Sequence, residues 1–282
     1  MDIDIVICSN RSEHQIDECL NNLYPILPGD SKVIIIVPKK HPILQRSQFK
    51  KRGILIIPSE IENGSFQRNV GLMYCSSQIV GFIDDDTILY TNHIRNIIGY
   101  FERHKEVIGI GGHIINFSPA KGWLLLYRKV FGLSYPSEDG SANQLRSGFF
   151  NYPDYSCFPK KVEALWGCCM WWRRDAFINV KFNENLTAFQ DIDFSYQLRD
   201  KGELINIADA MYTHSRSQEG RSNIKRIFAQ IIAAKNIGIK NNNCNFSYIL
   251  WLWGAFGMII IFILSKIIKK ESILAPEFIK SC

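Results

Sequence analysis

The 282-residue chain has no paired CxxC pattern. Its eight cysteines are scattered at 8, 19, 75, 157, 168, 169, 244 and 282, which excludes the usual zinc spacing. Cys8, Cys19 and Cys75 fall in apolar surroundings and read as reduced thiols of a cytosolic compartment. Charge of one sign is not in great excess. A formal net charge of +6 favours acidic partners such as phosphates or anionic lipid but is too small to argue for nucleic acid. No stretch interleaves basic and aromatic residues, and no internal repeat or low-complexity tract stands out. The opening MDIDIVICSN lacks the basic and apolar regions of a signal peptide and reads as a first strand. The turn after it, CSNRSEH, contains no glycine. That counts against a sugar nucleotidyltransferase, which would place a Gly-rich, basic loop there.

Apolar runs of two periods alternate along the chain. Residues 4–8, 32–37, 54–57, 79–83 and 107–115 read as strands, and the continuous Val/Ile content of 32–37 predicts burial on both faces. Between them, Ser12–Tyr24 has Ile16, Cys19, Leu20 and Leu23 on one helical face, with Ser12 and Gln15 spaced as a capping box. Asn63–Cys75 is a second helix, and Thr91 caps a third with Ile94, Ile97, Ile98 and Phe101 inward. Such βαβ alternation predicts an α/β fold: a mostly parallel open sheet with helices on both faces. Trp123–Phe131 reads as a helix, Ser134–Pro159 as a long loop or flap, and 191–200 as a helix. Glu203–Ile207 and Ala210–Thr213 read as short strands.

Ligands of such sheets sit beyond the carboxyl ends of the strands. There the chain has IVGFIDDDTILY, with Asp84, Asp85 and Asp86 side by side. Adjacent carboxylates repel, and partial burial raises the cost unless a cation compensates. Residues i and i+2 of an extended segment point the same way, so Asp84 and Asp86 converge on one hard cation, Mn2+ or Mg2+. Ser9, Asn10 and Arg11 share that edge, as does the Pro38–Lys40 turn. Downstream, Asp191 and Asp193 open a helix whose dipole suits them. Asp191, after the NLTAFQ lead-in, is a candidate general base. His214 is a candidate third metal ligand or diphosphate contact. Trp166, Trp171 and Trp172 with Gly167 offer an apolar wall at a cleft, or ordinary core packing.

CSNR, NGSFQRNVGL, IVGFIDDDT and WGCCMWWRRDAF…FNENLTAFQDIDFSYQLRDKG…H follow one another over residues 2–216. In order and spacing these blocks resemble the family 2 glycosyltransferases of the GT-A fold. The resemblance implies an inverting transfer of a sugar from a nucleotide diphosphate donor. Asp86 would sit on the metal and Asp84 near the ribose or metal. Ser9, Asn10, Arg11, Arg68, Asn69 and Asp85 would lie around the donor, and Trp166, Gly167 and Gln190 around the acceptor. Asp191 matches the family's base, Asp193 an anchoring acid, and His214 the histidine after the last strand. Two departures stand out. Gln190 occupies the place of the usual Glu, and VPKKH, with Pro38 and Lys39, ends the second strand where an acid often reads the nucleotide base. The choice among UDP, GDP and dTDP donors is therefore open.

Residues 246–264, FSYILWLWGAFGMIIIFIL, contain no charge and as a helix extend about 28 Å. That approaches a hydrocarbon core of ~30 Å, with Trp251 and Trp253 suited to an interface and Lys266, Lys269 and Lys270 following. The expected organisation is a catalytic domain over 1–220, a basic amphipathic helix and linker over 221–245, a membrane-associating helix over 246–268 and a short basic tail over 269–282, the apolar helix spanning, re-entering or lying in the membrane, or else packing against a partner protein. A membrane-associated, polysaccharide-type glycosyltransferase at the cytoplasmic face follows, with a glycan or lipid-linked acceptor and oligomeric state left open. The alternatives are the nucleotidyltransferase above and a non-catalytic nucleotide-sugar-binding subunit, for which Gln190 is the support.

Overall fold

A computed structural model describes residues 1–45, 53–153, 159–215, 223–241 and 245–270. The chain divides into two compact units, Met1–Asn116 with Phe158–Glu219, and Phe117–Cys157 with Gly220–Cys282.

The first unit is built on a sheet of β1 (Ile3–Cys8), β2 (Lys32–Pro38), β3 (Ile54–Ser59), β4 (Ile79–Asp84), β5 (Thr87–Leu89), β6 (Val107–Ile114), β7 (Lys160–Lys161), β8 (Cys169–Arg173) and β9 (Glu203–His214). Its order is β3-β2-β1-β4-β8-β6-β9-β5, with β7 on β9. The block β3-β2-β1-β4 is parallel, as is β6 with β9, while β8 runs antiparallel between β4 and β6. As expected of strands buried on both faces, Val33 to Val37 are all inaccessible. Helix α1 (Glu13–Leu23) joins β1 to β2, and α2 (Gly64–Leu72) carries the chain from β3 back to β4. These crossovers run in opposite directions along the sheet, so right-handed connection puts the two helices on opposite faces. Asn63 caps α2 by accepting from the Ser65 and Phe66 N–H groups. Burial pushes the thiols of Cys8, Cys19 and Cys75 up to about 12.

Several local expectations are corrected. Ser12 makes no side-chain cap, and the Gln15 side chain donates instead to the Asp85 carbonyl at 3.4 Å. Asn92, not Thr91, is the cap position of α3 (His93–Arg103). The two short strands after 203 are one strand, β9, with irregular register against β6. Trp171 and Trp172 are not a cleft wall but the fully buried middle of β8. Their rings lie over β4 and β6, where a Cβ on Gly81 or Gly109 would come within 3 Å of an indole.

His93, unremarked in the sequence, ties α3 to this core. Its Nδ1–H donates to the Met211 carbonyl at 2.9 Å, and its Nε2 accepts the Trp171 indole N–H at 3.0 Å. With both nitrogens committed, a second proton has no acceptor, and burial pushes the imidazole down to about 4 from 6.5. A lowered pKa contributes stability that is complete above about 6.5 and is lost as pH falls through about 4. The stability advantage over His93→Gln is expected to shrink by roughly 2 kcal/mol between pH 7 and 4.5. Denaturant melts across that range check it; a constant difference would rule the reading out.

In the second unit, α4 (Gly122–Val130), α6 (Asn223–Lys240) and α7 (Tyr248–Lys270) pack together. Residues 117–157 are thus grouped with the C-terminal helices. The described part of the expected loop, to 153, is irregular apart from isolated bridges at Pro136–Tyr152 and Gln144–Phe150. In the expected linker, Asn241 is buried and donates to Gln144 Oε1 at 2.8 Å, while 242–244 lie outside the described residues. So do the tail from 271 onward, Cys157, Cys244 and Cys282, and the side chains of Lys266, Lys269 and Lys270. Among the described residues α7 is the one helix long and apolar enough to cross a membrane, judged by length and composition.

Candidate active site

Parallel pairing places Cys8 beside Asp84, so the segments leaving β1 and β4 emerge together at the carboxyl end of the sheet. Asp84 ends β4 and Asp86 lies in the turn to β5, and the turn brings both carboxylates to one side. Antiparallel pairing of β5 with β9 sets Thr87 opposite His214 and brings that histidine to them. Asn116 fixes the His214 backbone, its amide donating to the carbonyl and accepting from the N–H, each at 3.1 Å. His214 Nε2 then lies 2.9 Å from Asp86 Oδ1 and 3.6 Å from Asp84 Oδ2. One potential ligand atom from each of the three residues lies within 4.8 Å of the others.

The carboxylates differ in environment. Asp86 is buried, with Arg11 Nη1 2.7 Å from Oδ2. Burial alone would raise it, but His214 and Arg11 outweigh burial and hold the carboxyl well below the usual range. It therefore stays ionised. Asp85 turns the other way and accepts from the Ser9 hydroxyl, with Arg11 at 3.3 Å. Burial pushes it up to about 6 despite those contacts. Asp84 is the most open of the three and meets Arg68 Nη2 at 3.3 Å.

Two carboxylates and an imidazole suit a hard or borderline divalent ion such as Mn2+ or Mg2+. His214 Nε2 is buried, and its close approach to Asp86 lacks hydrogen-bond alignment. That is the disposition of a ligand nitrogen, and the donor set fits the ion.

Arg68 links this cluster to Asp191. From α2 its guanidinium reaches Asp84 with one nitrogen and Gln190 Oε1, at 3.2 Å, with the other, and it lies over the Phe182 ring. Gln190 and Asp191 open α5 (Gln190–Leu198), entered through Phe189 in a left-handed conformation, φ 56°. Such a conformation costs a non-glycine residue on the order of 1–2 kcal/mol. It is held because Phe194 anchors α5, stacked on Phe182 at 4.0 Å and edge-on to Phe82 and Trp172. Asp191 Oδ2 accepts the Gly167 N–H at 2.6 Å. A Cβ on Gly167 would lie 3.1 Å from that oxygen, so the close approach calls for glycine. Burial raises the Asp191 carboxyl, opposed by the Gly167 N–H and by Arg68.

Other expected site residues make contacts of their own. Asn69 donates to Phe182 O and Glu184 Oε1 and accepts from Phe182 N–H, clamping that segment to α2. Asn10 Oδ1 accepts from Gln67. Lys39 pairs with Glu60 at 2.8 Å. Asp193 is buried and accepts from Gln197, one turn along α5, as an anchoring acid would. Trp166 is half-buried beside Gly167. Gln67, Asn116 and His41, whose Nε2 contacts the Arg11 carbonyl at 2.5 Å, were not singled out in the sequence. Of these only Gln67, inside NGSFQRNVGL, carried a local signal. A cavity of about 780 Å³ opens beside α3, and none of the expected site residues lines it.

A family model described as Glycosyl transferase family 2 matches residues 4–180. The chain belongs to that family. The matched region runs from β1 through β8, taking in the three aspartates. It is 23% identical over 205 residues to the minor teichoic acid biosynthesis protein GgaB of Bacillus subtilis. That alignment takes in 71% of the chain but spans only 20% of GgaB. Among solved structures, S. aureus TarS 1-349 in complex with UDP-GlcNAc superposes with TM-score 0.57 at 15% identity, over 86% of this chain and 67% of that one. The mannosyltransferase PcManGT from Pyrobaculum calidifontis, in complex with GDP-Man and Mn2+, gives TM-score 0.61 at 10% identity, over 96% and 76%. These likenesses establish the GT-A-like α/β fold of the family 2 chain.

Proposed function

We propose that this glycosyltransferase moves a sugar, with inversion, from a nucleotide diphosphate donor to a glycan or lipid-linked acceptor of polysaccharide biosynthesis. The observation that carries the proposal is the convergence of Asp84, Asp86 and His214, with Arg68 bridging Asp84 to Gln190 next to Asp191. TarS with UDP-GlcNAc, PcManGT with GDP-Man and Mn2+, and the teichoic acid role named for GgaB support the donor class, the ion and the type of product.

In this scheme Asp191 takes the acceptor hydroxyl's proton as the oxygen bonds to the anomeric carbon, and the bond to the diphosphate breaks with its electron pair leaving on phosphate. The Gly167 N–H fixes the carboxylate's orientation, and burial, by raising its pKa, makes it a stronger base. One base opposite one leaving group inverts the carbon, as in direct displacement by inverting glycosidases. Asp84, Asp86 and His214 would hold Mn2+ or Mg2+, which supplies Lewis-acid stabilisation of the leaving diphosphate. Arg68 adds a fixed positive charge beside it. Gln190 is neutral and orients Arg68 without placing a further carboxylate beside it. Ser9, Asn10 and Arg11 complete the donor side, and Trp166 and Gly167 the acceptor side. Catalysis at the cytoplasmic face of the membrane, where nucleotide sugars are found, accords with α7.

The test is release of free nucleotide from a panel of UDP-, GDP- and dTDP-sugars in Mn2+ without acceptor. Slow hydrolysis of one class is expected; no turnover of any would favour a binding subunit. Gly167→Ala is expected to slow that turnover by about tenfold or more, because displacing a reacting group by a fraction of an ångström is costly. Donor affinity should not move. A normal rate would remove Gly167 from the site.

A further inference from the structure

Unit Phe117–Cys157 with Gly220–Cys282 differs from the rest of the chain in charge and surface. Residues 117–157 and 220–282 hold 13 Lys and Arg against 5 Asp and Glu, a net of +8; the remainder holds 20 against 22, a net of −2. The whole positive excess of the protein thus lies in the unit that contains the apolar helix. This unit also exposes large apolar side chains on each of its three described helices. On α4 they are Trp123, Leu126 and Val130, at one-face spacing, with Leu126 63% exposed. On α6 they are Ile224, Phe228 and Ile232, again one face, with Ile232 55% exposed. Lys121, Lys129, Lys225 and Arg226 are exposed along the same two helices.

The packing of α7 argues against a lone transbilayer span. Its Trp253 indole donates to the Val130 carbonyl at the end of α4, and Tyr127 of α4 donates to the Gly257 carbonyl. Trp251 donates to the Ile231 carbonyl of α6, and Lys235 of α6 lies over its ring. The Phe131 ring stacks on Trp253 at 4.7 Å. The first part of α7, to Gly257, is thus tied to two helices that carry lysines. The remaining length, to the helix end at Lys270, is about 20 Å at 1.5 Å per residue. A hydrocarbon core is ~30 Å. A full crossing would therefore draw α4 and α6, with their basic residues, into the hydrocarbon, which is unfavourable.

We propose that α4, α6 and α7 form a platform lying in the plane of an anionic lipid surface, their apolar side chains entering the headgroup boundary and their basic residues meeting lipid phosphates. Exposed apolar positions flanked by basic residues, whose long stems let the charged heads reach the headgroups, are the pattern of in-plane insertion. The occupant is a lipid surface rather than an acidic protein because the apolar positions occur on three helices alongside the net positive charge. The inference rests on the reading of the chain as membrane-associated, and not on the transfer chemistry.

Flotation of the full chain, diluted from detergent onto vesicles, tests it. The vesicles are phosphatidylcholine alone or phosphatidylcholine mixed with phosphatidylglycerol. The parent is expected to prefer the mixed vesicles and to lose that preference in high salt. Leu126→Ser with Val130→Ser, and Phe228→Ser with Ile232→Ser, should each lower partitioning at least about tenfold. Lys225→Gln with Arg226→Gln should lower binding to the mixed vesicles alone; these are exposed positions, so the variant keeps its fold. Circular dichroism melts verify folding independently of turnover, so failure of the transfer reading is distinguishable from failure of this one. If all variants float like the parent, α7 alone anchors the chain and the platform is refuted. A parent that ignores lipid charge refutes it too. So does a parent that forms a discrete oligomer which the serine variants dissociate without any change in flotation, since the face would then join copies of the chain.

Discussion

Asp191→Asn is expected to lower sugar transfer by about 10²–10⁴-fold, the usual worth of a general base, while donor affinity stays near that of the parent. Asn keeps the volume and can still accept the Gly167 N–H, so the entry to α5 is preserved. It cannot take a proton near neutral pH. The donor's phosphates would be held by the ion on the Asp84–Asp86–His214 cluster and by Arg68, residues the substitution leaves in place. Turnover and donor affinity should therefore separate, the former by steady-state assay and the latter by calorimetry. Asp193→Asn is the contrast. That carboxylate is buried and bonded to Gln197, so its loss should lower the melting temperature before it lowers the rate. A near-normal rate in Asp191→Asn would place the base elsewhere. Gln190→Glu belongs in the same series: a second carboxylate beside Arg68 should pull the guanidinium away from Asp84, and the rate reports whether that helps or harms transfer.

Asp86→Ala is expected to abolish the Mn2+-dependent part of nucleotide binding, a loss of at least about a hundredfold, since removing even supporting contacts to metal ligands costs 10–100-fold. Asp86 is the carboxylate held most firmly in the ionised state, between Arg11 and His214. Its removal takes away a ligand oxygen and leaves His214 without its nearest acid. Because Arg11 keeps Asp85 at 3.3 Å, the edge of the sheet should hold, and Asp86→Asn provides a volume-conserving check. Calorimetry with UDP and GDP in Mn2+ and in EDTA decides the matter. Equal affinities in the two buffers for the unmutated chain would eliminate the metal role, whatever the variant does.

Much of this protein follows from its sequence alone. Runs such as KVIIIVP, apolar on both alternations, predict buried parallel strands, and the β3-β2-β1-β4 block forms as such runs require. The DDD run at the end of an apolar strand marks the acidic cluster, although Asp85 and Asp86 form a turn rather than continuing the strand, and the Asn63 and α2 signals are local. These features depend on neighbours a few residues apart, so pattern suffices. Other features depend on partners brought close only by folding. CMWW is apolar throughout and has no period that distinguishes a strand from a wall; its place in β8 comes from pairing with β4 and β6. Gln15 leaves its capping box for a carbonyl 70 positions away, and Phe189 takes a left-handed turn because a distant aromatic cluster anchors α5. His214 joins Asp86 through the β5–β9 pairing, and residues 117–157 pack with helices a hundred positions downstream. A chain's local periodicity decides which face of an element is apolar. Which faces meet is settled by the burial that long-range closure makes available, and that is a property of the folded chain as a whole.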